Sequence, residues 1–312
     1  MVFAASRSFP SLSSCLDCVA ATYSGVLEVN GTDRKSGETL GRVDVPKYLF
    51  RGEAKRYPTT TATMSRVATD ESLTPRARAL IPGLSNYIET QLRDFLSMSE
   101  MDSAGFAQHY GLPTSLIDLT SNTEVAGFFA SEEQPGSKGF IGIFPTRNLV
   151  DSAALIDLRN HDRATRPRRQ EAFVLFHRKH EDLKTVSCVS ELQSLWFGFT
   201  LTETDKSKYQ RRTDLVDASR DAVAGALQLI IDSMVIDHGK LPDELAYWLS
   251  RRIAPAPFVA KPVRFGDANG KPLLVELVSA LDAGLPFSES REREKSYRFW
   301  SSQFNLEGRE PG

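Results

Sequence analysis

The residues of this chain best suited to chemistry lie in three short stretches. Phe50-Arg51-Gly52 sets a guanidinium in an otherwise apolar run. "QHYGLPTSLIDLT", residues 108–120, brings Gln108, His109, Thr114, Ser115 and Asp118 to a corner where the chain turns into its core. "RPRRQEAFVLF", residues 166–176, places Arg166, Arg168 and Arg169 just ahead of Gln170 and Glu171. A guanidinium carries five N–H donors in a fork that matches phosphate or carboxylate. Hydroxyls suit ribose or phosphate, an imidazole suits proton transfer, and a carboxylate suits a developing positive charge.

Each stretch has a second, architectural reading. Arg51 on a buried strand needs an accepting partner: Asp118 in a buried ion pair, or the phosphate or carboxylate of a ligand. Under the ligand reading, Gly52 lets the ligand approach the backbone. Gln108, His109 and Tyr110 are consecutive on a helix and cannot all face one pocket. His109 is a general base only if a second group orients its ring; otherwise it satisfies carbonyls near a helix end. Thr114 and Ser115 hold a ligand or close their own turn. The arginines clamp phosphates or keep an edge strand from sticking to its neighbours. Gln170 and Glu171 are expected to begin a strand and to point to opposite faces.

Bulk properties remove several classes. The 312 residues carry 38 Lys and Arg against 40 Asp and Glu, a net charge of −2, so there is no overall basic footprint for nucleic acid. No apolar run reaches the roughly 18 residues needed to cross a bilayer. The first residues lack a charged segment followed by an unbroken apolar one, so a secretory signal is not expected. Three cysteines cannot all pair, which points to a reducing, cytoplasmic setting. Cys15 and Cys18 form a lone C-x-x-C with no second ligand pair, and three residues apart they share one face of a short helix starting near Pro10. No metal is expected, and there is no nucleophile elbow, Walker A loop or G-x-G-x-x-G.

The elements that must position these residues follow from periodicity. Residues 24–46 read as an exposed connection or loose hairpin, and "KYLFRGEA" as a short strand. Leu84–Ser99 keeps helical spacing, Ser103 is the expected cap of a second helix, and Gly111 its left-handed end. "TSLIDLT" is a buried strand followed by a helix capped at Ser121 or Asn122; "GFIGIF" and "EAFVLF" are further strands. Beyond residue 205 the pattern is helical, with a long helix over 214–237, another from Pro242, two extended runs around Asn269-Gly270 and a charged tail. The expected class is α+β: a mixed central sheet flanked by helices, with a largely helical C-terminal part. The expected division is an N-terminal helix and connection over 1–45, a main domain over 46–205 and a helical region over 206–312.

Taken together, Phe50-Arg51-Gly52, "QHYGLPTSLIDLT", the following "VAGFFA" and "RPRRQEAFVLF" resemble the FRG-domain family in order and spacing, across roughly residues 46–180. Leu119 stands where that family usually shows tryptophan, and Glu171 where a small residue often follows the glutamine.

The order of elements carries a further analogy, of layout only, to ADP-ribosyltransferases: an arginine-bearing early strand, a hydroxyl-bearing middle strand and a late glutamate. It implies NAD as a substrate. Arg51 grips the pyrophosphate, Thr114 or Ser115 the ribose, and Glu171 lies beside the anomeric carbon. The partners are then a small nucleotide and an unidentified macromolecular acceptor. The alternative is a binding module without catalysis, which recognises a nucleotide, nucleic-acid end or protein through Arg51 and the Arg166–Arg169 group.

Overall fold

The structure, a computed structural model, describes residues 7–32, 39–55, 57, 59–96, 100–152, 154–159, 165–176, 182–183, 195–216, 223 and 227. Two compact units interleave along the chain. The first takes Met1–Val29, Arg42–Thr63 and Ser115–Ala218; the second takes Asn30–Gly41, Met64–Thr114 and Ser219–Gly312.

The first unit is built on a seven-stranded sheet. Its strands are β1 (Arg7–Phe9), β4 (Tyr48–Glu53), β5 (Leu116–Thr120), β6 (Lys138–Pro145), β7 (Ala154–Asp157), β8 (Ala172–Phe176) and β9 (Trp196–Thr200). They lie in the order β1-β9-β6-β4-β5-β8-β7, which puts β4 in the middle. Only β1 and β9 run parallel; the other neighbours are antiparallel. The α+β class with a mixed sheet is therefore present. The expected loose hairpin is a two-stranded ribbon of β2 (Val26–Thr32) and β3 (Thr39–Pro46).

Strand alternation divides the core into two layers. One face carries Leu49, Ile117, Leu119, Phe140, Phe144, Phe173, Leu175 and Trp196, together with Leu149 of α6 (Thr146–Ser152). The other carries Phe50, Ile141, Ile143, Phe197 and Phe199. Against that second face pack Leu12, Cys15, Leu16 and Val19 of α1 (Leu12–Thr22) and Ala126 and Ala130 of α5 (Thr123–Ala130).

Helix α1 begins after Ser11, whose hydroxyl accepts from the Ser14 N–H while Ser14 reaches back to the Ser11 N–H, a capping box. Asn122 caps α5 by accepting from the N–H groups of Glu124 and Val125. Helix α8 (Glu203–Gln210) is capped by Thr202 and Asp205 in the same reciprocal way as α1. Tyr209 of α8 is buried and donates to Glu124 of α5 at 3.1 Å, while Lys208 bonds the same carboxylate.

In the second unit, α2 (Thr63–Ala68) is followed by α3 (Pro75–Leu96) and α4 (Glu100–His109). Helix α3 starts a full two turns before the expected Leu84, because Thr74 accepts the Ala77 N–H and Pro75 takes the first helical position. Ser103 is not a cap: α4 has already begun at Glu100, and Ser103 is buried inside it.

Among the described residues no helix is long and apolar enough to cross a membrane. Of the long helix expected over 214–237, the described part begins as a 3₁₀ turn, Thr213–Leu215. The elements expected from Pro242 to the C-terminus lie outside the described residues.

Candidate functional site

The first part of the 108–120 corner, residues 108–114, closes on itself in the second unit. The Leu112 N–H donates to the Ala107 carbonyl at 3.0 Å and the Gly111 N–H to the Gln108 carbonyl at 2.9 Å, with Gly111 at φ 100°. This is a Schellman ending, which needs a left-handed residue after the helix and supplies partners for its last carbonyls. Gln108 and Thr114 are both buried, and the Thr114 hydroxyl donates to the Gln108 side-chain carbonyl. Ser85 of α3 donates to the Pro113 carbonyl at 2.6 Å, and the Met64 N–H to the Thr114 carbonyl at 3.0 Å. The hydrogen-bonding density of this stretch thus serves to end α4 and pin the chain that leaves it. His109 is half-buried in the last turn of α4.

In the first unit, Arg51 and Asp118 meet, but not as an ion pair. Arg51 Nη1 donates to the main-chain carbonyl of Asp118 at 2.9 Å, and its Nε lies 3.6 Å from Glu53 Oε1. The reason is parity. Ile117 and Leu119 belong to the same layer as Leu49, so Asp118 between them faces the opposite layer from Arg51, two residues on from Leu49. Register depends on strand pairing, which a one-dimensional pattern does not specify.

The carboxylate beside Arg51 is Glu53, which reasoning from sequence missed. It is 3 % exposed and accepts from the Thr60 hydroxyl at 2.7 Å. The i, i+2 spacing in a strand was the available signal, since it places Arg51 and Glu53 on one face. The Arg51 side chain keeps 18 % of its surface exposed.

Gly52 faces α5. An ideal Cβ there would lie 1.8 Å from the Ala126 carbonyl oxygen and 2.9 Å from the Ala130 nitrogen. The space that the ligand reading assigned to a guest beside Gly52 is filled by helix backbone.

Gln170 and Glu171 do not begin a strand. Arg166–Arg169 lie in α7 (Thr165–Arg169), and the N–H groups of Gln170 and Glu171 donate back to the Arg166 and Arg168 carbonyls, so β8 starts only at Ala172. Gln170 is buried; its amide donates to the Leu215 carbonyl at 2.6 Å, and its own carbonyl accepts from the Thr120 hydroxyl at 2.7 Å. Arg169 is half-buried and reaches Thr165 at 3.4 Å.

Glu171 is the one non-glycine described with a left-handed backbone, at φ 44°. Its two oxygens accept from the Ser121 hydroxyl at 2.6 Å and the Asn122 amide at 2.8 Å. Both donors are neutral, and a carboxylate has about four lone-pair sites, so half its accepting capacity remains. Backbone strain of this kind costs on the order of 1–3 kcal/mol and persists where the surroundings impose it.

Cys15 is fully buried in α1, and burial first, then the neighbouring Cys18, pushes its thiol up to about 12 against the opposing Arg7 charge. Cys18 is half-buried and accepts from Arg7 at 3.3 Å. Among the described residues, no three His, Cys, Asp or Glu side chains gather as metal ligands.

Of the residues singled out in sequence, Arg51, Gly52, Ser115, Asp118, Arg169, Gln170 and Glu171 thus fall in the first unit, and Gln108, His109 and Thr114 in the second. No curated protein and no solved structure matches the chain. The FRG domain matches residues 46–138, a span that takes in Phe50-Arg51-Gly52, the 108–120 corner and α5 but stops before α7 and Glu171. The chain carries an FRG domain.

Proposed function

We propose that this FRG-domain chain handles a nucleotide, and that it uses NAD in the manner of an ADP-ribosyltransferase. The single observation supporting this reading is the Glu171 carboxylate. It is held in a left-handed turn by two neutral donors, so its orientation is set while its negative charge is not cancelled by a cation among the described residues. A fixed, uncompensated carboxylate stabilises an oxocarbenium-like centre without reorganising as the charge develops. Cleavage of the bond between nicotinamide and ribose passes through such a centre.

In this reading Arg51 contacts the pyrophosphate. It donates to one carbonyl and lies 3.6 Å from one carboxylate, which leaves guanidinium N–H groups for a ligand. It lies two strand spacings from β8, about 10 Å across the sheet. Ser115, just before β5, is the hydroxyl assigned to ribose. The acceptor of the ADP-ribosyl group is a macromolecule.

The test is incubation of the purified chain with labelled NAD and cell-derived acceptors, for wild type, Arg51→Ala and Glu171→Gln. Label transfer that requires both residues supports the reading; binding and turnover that survive both substitutions remove the site. Nucleotide binding that depends on Arg51 and weakens steeply with salt, with no nicotinamide released, assigns the chain to the non-catalytic class.

A further inference from the structure

Where β5 ends and β8 begins, two turns are tied together through main chain and side chain alike. The Ser121 N–H donates to the Glu171 carbonyl at 3.1 Å, the Thr120 hydroxyl to the Gln170 carbonyl at 2.7 Å, and the Asn122 N–H to the Thr120 hydroxyl oxygen at 3.0 Å. The Glu171 N–H is bonded to the Arg168 carbonyl at 3.0 Å, so both main-chain groups of Glu171 are occupied. These bonds hold its backbone at φ 44°, and the freedom that remains is in its side chain.

Asn122 restricts that side chain. Its Oδ1 accepts from the Glu124 N–H at 2.9 Å and the Val125 N–H at 3.4 Å, which caps α5, while its Nδ2 donates to Glu171 Oε1 at 2.8 Å. The two ends of this amide are not interchangeable. Turned over, it would set its NH₂ against two N–H donors and its oxygen against a carboxylate, so the start of α5 dictates which end meets Glu171. Asn, Asp, Ser, Thr and Gly all cap helices well. Asparagine alone among them accepts at one end of a rigid plane and donates at the other. An ionised aspartate has no donor, and a serine or threonine hydroxyl must do both from one oxygen. The Ser121 hydroxyl meets the second carboxylate oxygen, Oε2, at 2.6 Å, so each oxygen of Glu171 has its own donor.

From this geometry we infer that Asn122 is the positioning residue of the Glu171 carboxylate, and that the start of α5 is the frame from which that charge is held. The inference rests on the transferase reading above for what the charge does, and adds the residue that sets its place. Asn122 acts on the reaction only through Glu171. A carboxylate stabilises a developing positive centre best when it does not reorient as the charge appears, and a charge-assisted hydrogen bond is what keeps it still. Nucleotide binding through Arg51 and Ser115 does not involve Asn122, so its loss falls on kcat.

The experiment compares urea midpoints and NAD turnover of the full chain as wild type, Asn122→Ser, Asn122→Asp, Glu171→Gln and the double variant Asn122→Asp with Glu171→Gln. Asn122→Asp keeps the cap but sets carboxylate against carboxylate. The double variant restores the bond with its polarity reversed, an amide at 171 donating to a carboxylate at 122. Its midpoint is expected to lie above that of Asn122→Asp although it carries one more change, with no recovery of turnover. A midpoint below both single variants overturns the pairing. Asn122→Ser, which keeps a capping oxygen, is expected to lower kcat about tenfold with KM unchanged; an undiminished kcat overturns the positioning role. A recovered midpoint with no turnover even in wild type removes the transferase reading and supports the pairing of Asn122 with Glu171. Wild-type turnover with additive midpoints does the reverse.

Discussion

The α-carbon of Gly52 sits against the main chain of α5, so that a Cβ built there would come within 1.8 Å of the Ala126 carbonyl oxygen. The glycine of the Phe-Arg-Gly stretch is therefore what allows α5 to lie on β4. Backbone on both sides leaves neither partner a flexible end to move. Gly52→Ala is expected to cost about 3 kcal/mol or more, or to prevent folding, with a lowered urea midpoint or loss of soluble chain as the readout. Near-wild-type stability would mean that α5 can shift without loss.

Asp205 joins elements that are distant in sequence. Its carboxylate accepts five hydrogen bonds: from the Leu12 N–H, the Ser13 N–H and hydroxyl, and the Thr202 N–H and hydroxyl. It thereby caps both α1 and α8. Burial alone would raise its pKa, but the Ser13 and Thr202 hydroxyls and the Leu12 and Thr202 N–H groups outweigh it and hold the carboxyl below its usual value. A depressed folded pKa stabilises fully above the unfolded value of about 3.9, and the effect is lost as pH falls through the folded value. Asp205→Asn is expected to lower stability by about 2–3 kcal/mol at pH 7. Urea midpoints of the two proteins should converge as pH falls below about 4; a gap that stays constant to lower pH would contradict the assignment.

Glu171 separates stability from turnover. Glutamine in its place keeps one acceptor and brings its own N–H toward a donor, at a cost of about 1 kcal/mol. If the carboxylate stabilises a developing cation, Glu171→Gln lowers NAD turnover by about 10²–10³-fold while thermal melting moves by only a few degrees. A loss of turnover that merely tracks loss of fold would return Glu171 to a purely structural clamp on Ser121 and Asn122.

Gln108 and Thr114 form a buried pair across the end of α4. A double-mutant cycle with Gln108→Leu and Thr114→Val is expected to show each single change costing about 1–3 kcal/mol and a coupling of about 1 kcal/mol, because each strands a polar partner that the double change removes. Strict additivity in chemical denaturation would place the two residues in separate roles.

The ends of elements were legible along the chain because their causes are local. Gly111 two residues before Pro113 announces a helix end, and Asn122 ahead of Glu124 and Val125 announces a start; both depend on backbone groups within a few residues. The α+β class followed likewise from apolar periodicity, and the Phe-Arg-Gly and 108–120 stretches marked the FRG domain. The missed start of α3 was also local, at Thr74-Pro75.

Which groups face one another was decided only in three dimensions. Arg51 bonds the Asp118 carbonyl and neighbours Glu53, because the pairing of β4 with β5 sets which side chains share a face. Gln170 answers to Leu215, Asp205 to Ser13, and Gly52 to Ala126, contacts that span 45, 192 and 74 residues. Periodicity tells a residue's own side of its element; the identity of the partner across the gap is fixed by how elements pack, and packing is a property of the whole core.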